Sequence, residues 1–223
     1  MQGANPTTFT PLYVNLGLSS DSDCSIPVQW PTATGPFWRP GNTSSGATYY
    51  TDNTSQNNEW GIVNTGATYN LRDPSTSSPN SLLEPYPSLS PLNADGKSLF
   101  GCRVYVTGGD FRFLVEVPNS TIARDYNLTL LFLEAFFNTG GRTFNIGYGL
   151  GDNPTFLQTF KSRTPATLVP TNFDIVANAY GRYRALRTNW VVTVPAGQTK
   201  LNIILKRGTV DNPIIMGIGV EQQ

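Results

Sequence analysis

No histidine occurs among the 223 residues, and that removes the side chain most suited to proton transfer near neutral pH. Ser-His-Asp and Cys-His nucleophile systems are excluded, as is every metal site that needs an imidazole. Two cysteines, Cys24 and Cys102, are too few for a zinc cluster. Neither a GxxxxGK(S/T) phosphate loop nor a dinucleotide-binding glycine fingerprint is present. The chemistry left is that of paired carboxylates, which hydrolyse glycosidic bonds when two of them flank the bond at a set separation. Glu84, Asp110, Glu116, Glu134, Asp174 and Asp211 are the candidates, and the sequence places no two of them at that separation. Asp21, Asp23 and Asp52 raise the question of structural calcium, but they lack the spacing of a calcium loop. The expectation is a domain that binds rather than catalyses, and that needs no cofactor.

Composition narrows the partner. Charged residues make up 13% of the chain, and 15 basic residues balance 15 acidic ones. That is about half the usual charged share of a soluble domain, and neutrality removes the electrostatic footprint of a nucleic-acid binder. The cluster Arg182, Arg184 and Arg187, interleaved with Tyr180 and Tyr183, reads as a solvated strand face or turn. Few charges and many neutral hydrogen-bonding groups suit a neutral polar partner, either a sugar or another protein. Sugars are held by aromatic faces and planar polar side chains, and aromatics form 12% of the chain. Tyr49-Tyr50 lies in a polar stretch with little core to pack into. Phe136-Phe137 sits just before Asn138-Thr139-Gly140-Gly141, where the rings either face a cleft or cap the core. Trp30, Trp38 and Trp60 read as packing residues.

The elements that would position these groups are strands. Pro11 to Leu16 forms a short first strand. Residues 17 to 98 are rich in Ser, Thr, Asn, Gly and Pro, and a structureless loop of that length is unusual, so short strands or a packed functional loop are expected within it. Its most linker-like part runs from Pro74 to Pro91. Phe111 to Val117 alternates apolar and polar residues at period two. Asn127 to Phe137 is an apolar run suited to a central strand covered on both sides. Further strand-like segments follow at 143–148, 155–160, 173–176, 189–194, 201–206 and 214–220, with helix signals nearly absent. The pattern reads as one all-β sandwich or jelly roll spanning residues 1–223, with a loop-rich insertion at about 51–98.

Compartment is weakly marked. Cys24 and Cys102 would bridge in an oxidising compartment and would be two small buried residues in a reducing one. The four Asn-x-Ser/Thr sequons, at Asn42, Asn53, Asn119 and Asn127, match what so much Asn, Ser and Thr yields by chance, and Asn127 falls in the apolar strand. No stretch is apolar enough to span a membrane, so no direct membrane insertion is expected. The first thirty residues lack the form of a signal peptide. Their polar opening reads as the start of a trimmed piece, so a signal or anchor is expected outside it.

Three segments together resemble the malectin and malectin-like family. Leu130-Leu131-Phe132-Leu133-Glu134-Ala135-Phe136-Phe137, followed by Gly141-Arg142-Thr143-Phe144-Asn145-Ile146, is similar to a strand ending in Ala-Glu-x-Tyr-Phe and the Arg/Lys-x-Phe-Asp-Val strand after it. Val210-Asp211-Asn212-Pro213-Ile214-Ile215-Met216-Gly217-Ile218-Gly219-Val220 resembles the family's closing Asp-Asn-Pro strand, and Tyr13-Val14-Asn15-Leu16-Gly17 its opening Val-Asn-x-Gly strand. They occur in the family's order and bracket nearly the whole chain. The resemblance implies a jelly-roll-like, galactose-binding-like β-sandwich whose end loops bind a glucose-type disaccharide. By position it carries the family's ligand-binding residues onto Phe136, Phe137, Asp211 and Tyr105, with Tyr49 or Tyr50 as the earliest tyrosine. This chain departs from the pattern in having Phe136 where the family has Tyr, and Glu134 ahead of Ala135. The expected function is a non-catalytic carbohydrate-binding module, extracellular or in the secretory pathway as part of a larger protein. The alternative is a protein-recognition or adhesion domain, which the same family supplies in receptor ectodomains; a structural jelly roll is a third reading by fold analogy alone.

Overall fold

The computed structural model describes residues 9–16, 28–29, 37–40, 60–62, 68–72, 84–85, 99–100, 102–107, 110–150, 161–162 and 172–223. Strands in the first half are β1 (Leu12–Asn15), β2 (Val28–Gln29), β3 (Phe37–Pro40), β4 (Trp60–Ile62), β5 (Thr68–Arg72), β6 (Glu84–Pro85), β7 (Cys102–Thr107) and β8 (Phe111–Glu116). The second half holds β9 (Arg124–Phe132), β10 (Thr143–Leu150), β11 (Lys161–Ser162), β12 (Phe173–Asp174), β13 (Arg184–Val194), β14 (Lys200–Arg207), β15 (Ile214–Ile215) and β16 (Gly217–Gln222), with a short helix, α1 (Ile175–Ala179), among its described residues.

The large sheet has the order β11-β13-β9-β16-β1-β3-β2, with β6 on the start of β13. A second sheet runs β12-β10-β14-β8-β4, and a third runs β15-β7-β5. The described pairings are antiparallel except β1 with β3 and β6 with β13. The all-β, jelly-roll-like sandwich is therefore the fold. Within 51–98, the described pieces β4, β5 and β6 are short strands that pair with β8, β7 and β13.

Period-two alternation sends one side of each strand into a shared core. On β8, Phe111, Phe113 and Val115 are buried while the residues between them are not. They belong to one apolar cluster with Leu128, Leu130 and Phe132 of β9, Trp190 and Val192 of β13, and Leu201, Ile203 and Leu205 of β14. Phe132, Phe144 and Phe173 form a three-ring contact with centroids 5.1–5.8 Å apart. Trp60 packs on Phe113, as a core residue. Trp30 lies outside the described residues, as does the side chain of Trp38.

Two expected spans are corrected. The apolar run 127–137 is a central strand, between β13 and β16, but it ends at Phe132; residues 133–137 turn away as a corner. Residues 173–176 are strand only at Phe173–Asp174, because Asp174 caps a helix instead. Its extended backbone sends Oδ1 to the Ala177 N–H at 3.1 Å, and left-handed Tyr180 closes the helix at its other end. The segment 155–160 lies outside the described residues.

The outer face of the large sheet carries a polar row. Register sets Tyr13, Gly219, Thr129 and Asn189 side by side, with Glu221, Asn127 and Val191 in the next outward row. Asn127 thus faces outward, half-buried, on a strand that is otherwise largely core. The Tyr13 hydroxyl donates to Glu221 Oε2 at 3.1 Å. Burial foremost, then the Glu221 charge and its hydrogen bond, push this phenol from 10.0 up to about 12, with Arg187 partly offsetting them. The folded chain therefore holds the phenolic proton more tightly than the unfolded chain. That contribution is complete below pH 10 and is lost as pH rises towards 12. Urea unfolding on either side of pH 10 should show stability falling with pH, and Tyr13→Phe should remove part of that fall.

Candidate functional site

Three chain segments converge beyond the end of β9. The first is the corner Leu133–Phe137 and the turn after it, the second is the 208–213 loop between β14 and β15, and the third is β7. Pairing of β15 with β7 sets Ile214 opposite Tyr105, which brings Asp211 and Asn212 beside that tyrosine. A cleft of about 430 Å³ results, lined by Arg103, Tyr105, Phe136, Phe137, Arg142, Asp211 and Asn212. Ligand pockets typically measure about 300–1,000 Å³.

Glu134 builds the cleft wall without facing the opening. Its side chain is 1% exposed. Oε1 accepts from the backbone N–H groups of Phe136 at 2.8 Å and Phe137 at 3.3 Å, fixing the corner that presents both rings. Oε2 accepts from Arg142 Nε at 2.6 Å. Arg142, 7% exposed, reaches the other loop as well: Nη2 pairs with Asp211 Oδ2 at 2.9 Å and Nη1 donates to the Asn212 carbonyl. One guanidinium therefore ties the corner to the Asp-Asn-Pro loop through its planar fork of donors. The hairpin between them is held by Gly140, left-handed at φ 78°, whose N–H donates to Asp174. Gly141 admits no side chain, since a Cβ there would sit 2.7 Å from that of Phe137.

The aromatic wall is backed by cations. The Arg142 guanidinium lies 5.0 Å from the Phe137 ring centroid, and that of Arg103 lies 4.5 Å from Phe136 and 5.8 Å from Tyr105. Phe136 still exposes 40% of its surface. Asp211 is 29% exposed and adopts the left-handed region at φ 54°. Arg182 extends the rim, donating to the Phe136 carbonyl at 3.1 Å.

Four of the expected residues, Tyr105, Phe136, Phe137 and Asp211, thus share one cleft. Tyr49 and Tyr50 lie outside the described residues, as do Cys24, Asp21, Asp23 and Asp52. Arg103, Arg142 and Asn212 were not anticipated as lining groups. Arg103 carries a readable signal, since it stands two residues before Tyr105 on a strand and so shares its face. Among the described residues no cluster of three or more His, Cys, Asp or Glu could hold a metal ion, and no helix is long and apolar enough to cross a membrane.

No protein-family model and no curated protein matches the chain. Solved structures do. A chain from the plant peptide RALF23 in complex with FER and LLG2 superposes with a TM-score of 0.58 at 13% identity, over 95% of this chain and 48% of that one. The ANXUR1 extracellular domain from Arabidopsis thaliana gives 0.58 at 10% identity, over 95% and 47%. A calcium-binding mutant of Bacteroides uniformis beta-glucuronidase 2 gives 0.51 at 17% identity, over 96% of this chain and 18% of that one. The chain spans about half the length of the first two. At these identities the likeness is one of fold, a β-sandwich in keeping with what the resemblance to the malectin-like family implies.

Proposed function

We propose that this domain is a non-catalytic recognition module whose cleft binds a neutral di- or oligosaccharide. The observation carrying this reading is the convergence of Tyr105, Phe136, Phe137 and Asp211 on one cleft of about 430 Å³. Its lining combines three aromatic rings with a carboxylate, a carboxamide and two guanidinium groups, the mixture that stacks on a sugar's C–H surface and bridges its hydroxyls. Charge supports a neutral ligand, since Arg103 and Arg142 stand against Asp211 and the Glu134 behind them. The same pairing argues against hydrolysis: Glu134 and Asp211 share one guanidinium, and Glu134 is sealed from the opening, so they do not flank a bond as a glycosidase pair does. The reading places the domain outside the cell or in the secretory pathway, within a larger protein, in keeping with the extracellular domains whose fold it shares.

A second reading, recognition of a protein, has its own support. One similar structure is a complex containing the peptide RALF23 and LLG2, and Phe136 and Val210 leave exposed apolar surface near the cleft. Titration calorimetry with neutral oligosaccharides, repeated at high salt, separates the two. Sugar binding should vary little with ionic strength and should weaken roughly thirtyfold in Phe137→Ala. Capture of a protein partner that is insensitive to Phe137→Ala and sensitive to changes within residues 51–98 would favour the second.

A further inference from the structure

A second polar depression lies on the outer face of the large sheet, about 17 Å back along β9 from Phe132 at ~3.3 Å per residue. It encloses about 90 Å³, and its lining includes Tyr13, Asn127, Thr129, Arg187, Asn189 and Glu221. These side chains come from β1, β9, β13 and β16, four adjacent strands whose register brings all but Arg187 into two rows, with Arg187 one row further along, opposite Leu131.

Gly219 makes the floor. A Cβ at that position would sit 2.6 Å and 2.7 Å from two Tyr13 ring atoms, so the bare glycine is what lets the ring settle across β16. The tyrosine is held there by the Glu221 hydrogen bond. The surrounding groups retain hydrogen-bonding capacity. Thr129 donates to Asn189 Oδ1 at 2.7 Å, and Gln223 donates to Asn127 Oδ1 at 2.6 Å. Each asparagine thereby spends its carbonyl oxygen and keeps its amide nitrogen, with two donors apiece, uncommitted among the described residues. Glu221 engages Tyr13 through Oε2 and leaves Oε1 as an acceptor. Arg187 and Glu221 balance in charge.

We propose that this groove is a second ligand site, which takes a single neutral pyranose ring laid on Tyr13 and bonded through adjacent hydroxyls by Asn127, Asn189 and Glu221. An aromatic platform set among amide donors and one carboxylate acceptor matches a polyol with an apolar face, whereas an anion would meet Glu221 and a cation would meet Arg187. The small volume suits one ring lying on the surface rather than an enclosed ligand. The site is independent of the cleft and stands whether or not the cleft binds sugar.

The test is ¹H–¹⁵N spectroscopy of the full chain carrying Phe137→Ala, titrated with methyl glucoside, methyl galactoside, maltose and cellobiose, with glucuronate and a glycine peptide as comparators. At least one neutral sugar should shift the Asn127 and Asn189 side-chain amide signals saturably. Tyr13→Ala should weaken that response about tenfold, the upper size of one aromatic contact. Gly219→Ala, which displaces the ring while keeping every polar group, should weaken it similarly. Unmoved asparagine signals with all four neutral sugars would overturn the proposal, as would equal shifts in Tyr13→Ala or a response to the peptide or glucuronate alone. Because Phe137→Ala removes an aromatic wall of the cleft, a groove response in this variant is distinguishable from a failure of the cleft, which the unsubstituted chain reports separately.

Discussion

Glu134→Ala is expected to lower folding stability by about 3–5 kcal/mol, the cost of breaking a buried ion pair from one side. The substitution leaves Arg142 buried with Asp211 as its remaining carboxylate partner, and strips the acceptor from the backbone N–H groups of Phe136 and Phe137. Glu134→Gln separates these contributions. A glutamine oxygen can still accept from the two backbone groups, but its amide nitrogen would then face the Arg142 N–H, donor against donor. Its loss should be smaller than that of alanine and still clear. Urea unfolding with an unchanged m-value and a lowered midpoint is the readout. A stability change under 1 kcal/mol in Glu134→Ala would remove Glu134 as the anchor of the cleft.

Asp211→Asn and Phe137→Ala should each cost glycan affinity, and Asp211→Asn, which also takes its charge from the Arg142 pair, should lower folding stability as well. Asparagine at 211 is the cleaner probe, because the position sits at φ 54°, where Asn is tolerated and Ala is strained. It keeps the shape and loses the charge, so a charge-assisted bond of about 1.5–3 kcal/mol disappears, a loss of roughly tenfold to a hundredfold in affinity. Phe137→Ala removes a ring that forms a cleft wall, and anchors of that kind are worth about 2 kcal/mol or more, roughly thirtyfold. Calorimetric titration checks both, with circular dichroism to confirm that each variant remains folded. Affinity that survives Phe137→Ala intact would place the ligand elsewhere.

Much of this arrangement was legible from the chain alone, and the parts that were not share a cause. Phe111 to Glu116 announced its inward face through alternation, since a strand's side-chain period is fixed by the backbone. Phe136, Phe137, Asp211 and Tyr105, which the ordered resemblance names as ligand-binding, line one cleft. The end of β9 is not legible in the sequence, because apolar residues continue to Phe137 while the backbone turns at Leu133. The turn depends on where the Glu134 carboxylate goes, and that is a tertiary fact. Helix α1 was hidden because Ile175 and Val176 favour strand, and its deciding signal is Asp174 as a cap, a contact visible only once Ala177 folds back to it. Arg142 belongs to the segment that resembles the family's Arg/Lys-x-Phe-Asp-Val strand, yet its bond to Asp211 spans two distant loops whose meeting is set by β15 pairing with β7. Local periodicity reports faces, whereas convergence between remote segments requires the fold.

The most direct measurement is a glycan array probed with the unsubstituted domain beside Asp211→Asn. The account predicts binding to one or more neutral di- or oligosaccharides, sharply reduced in the variant at equal folded concentration. An array that shows no neutral glycan bound, or the same glycans bound equally by both proteins, would contradict it.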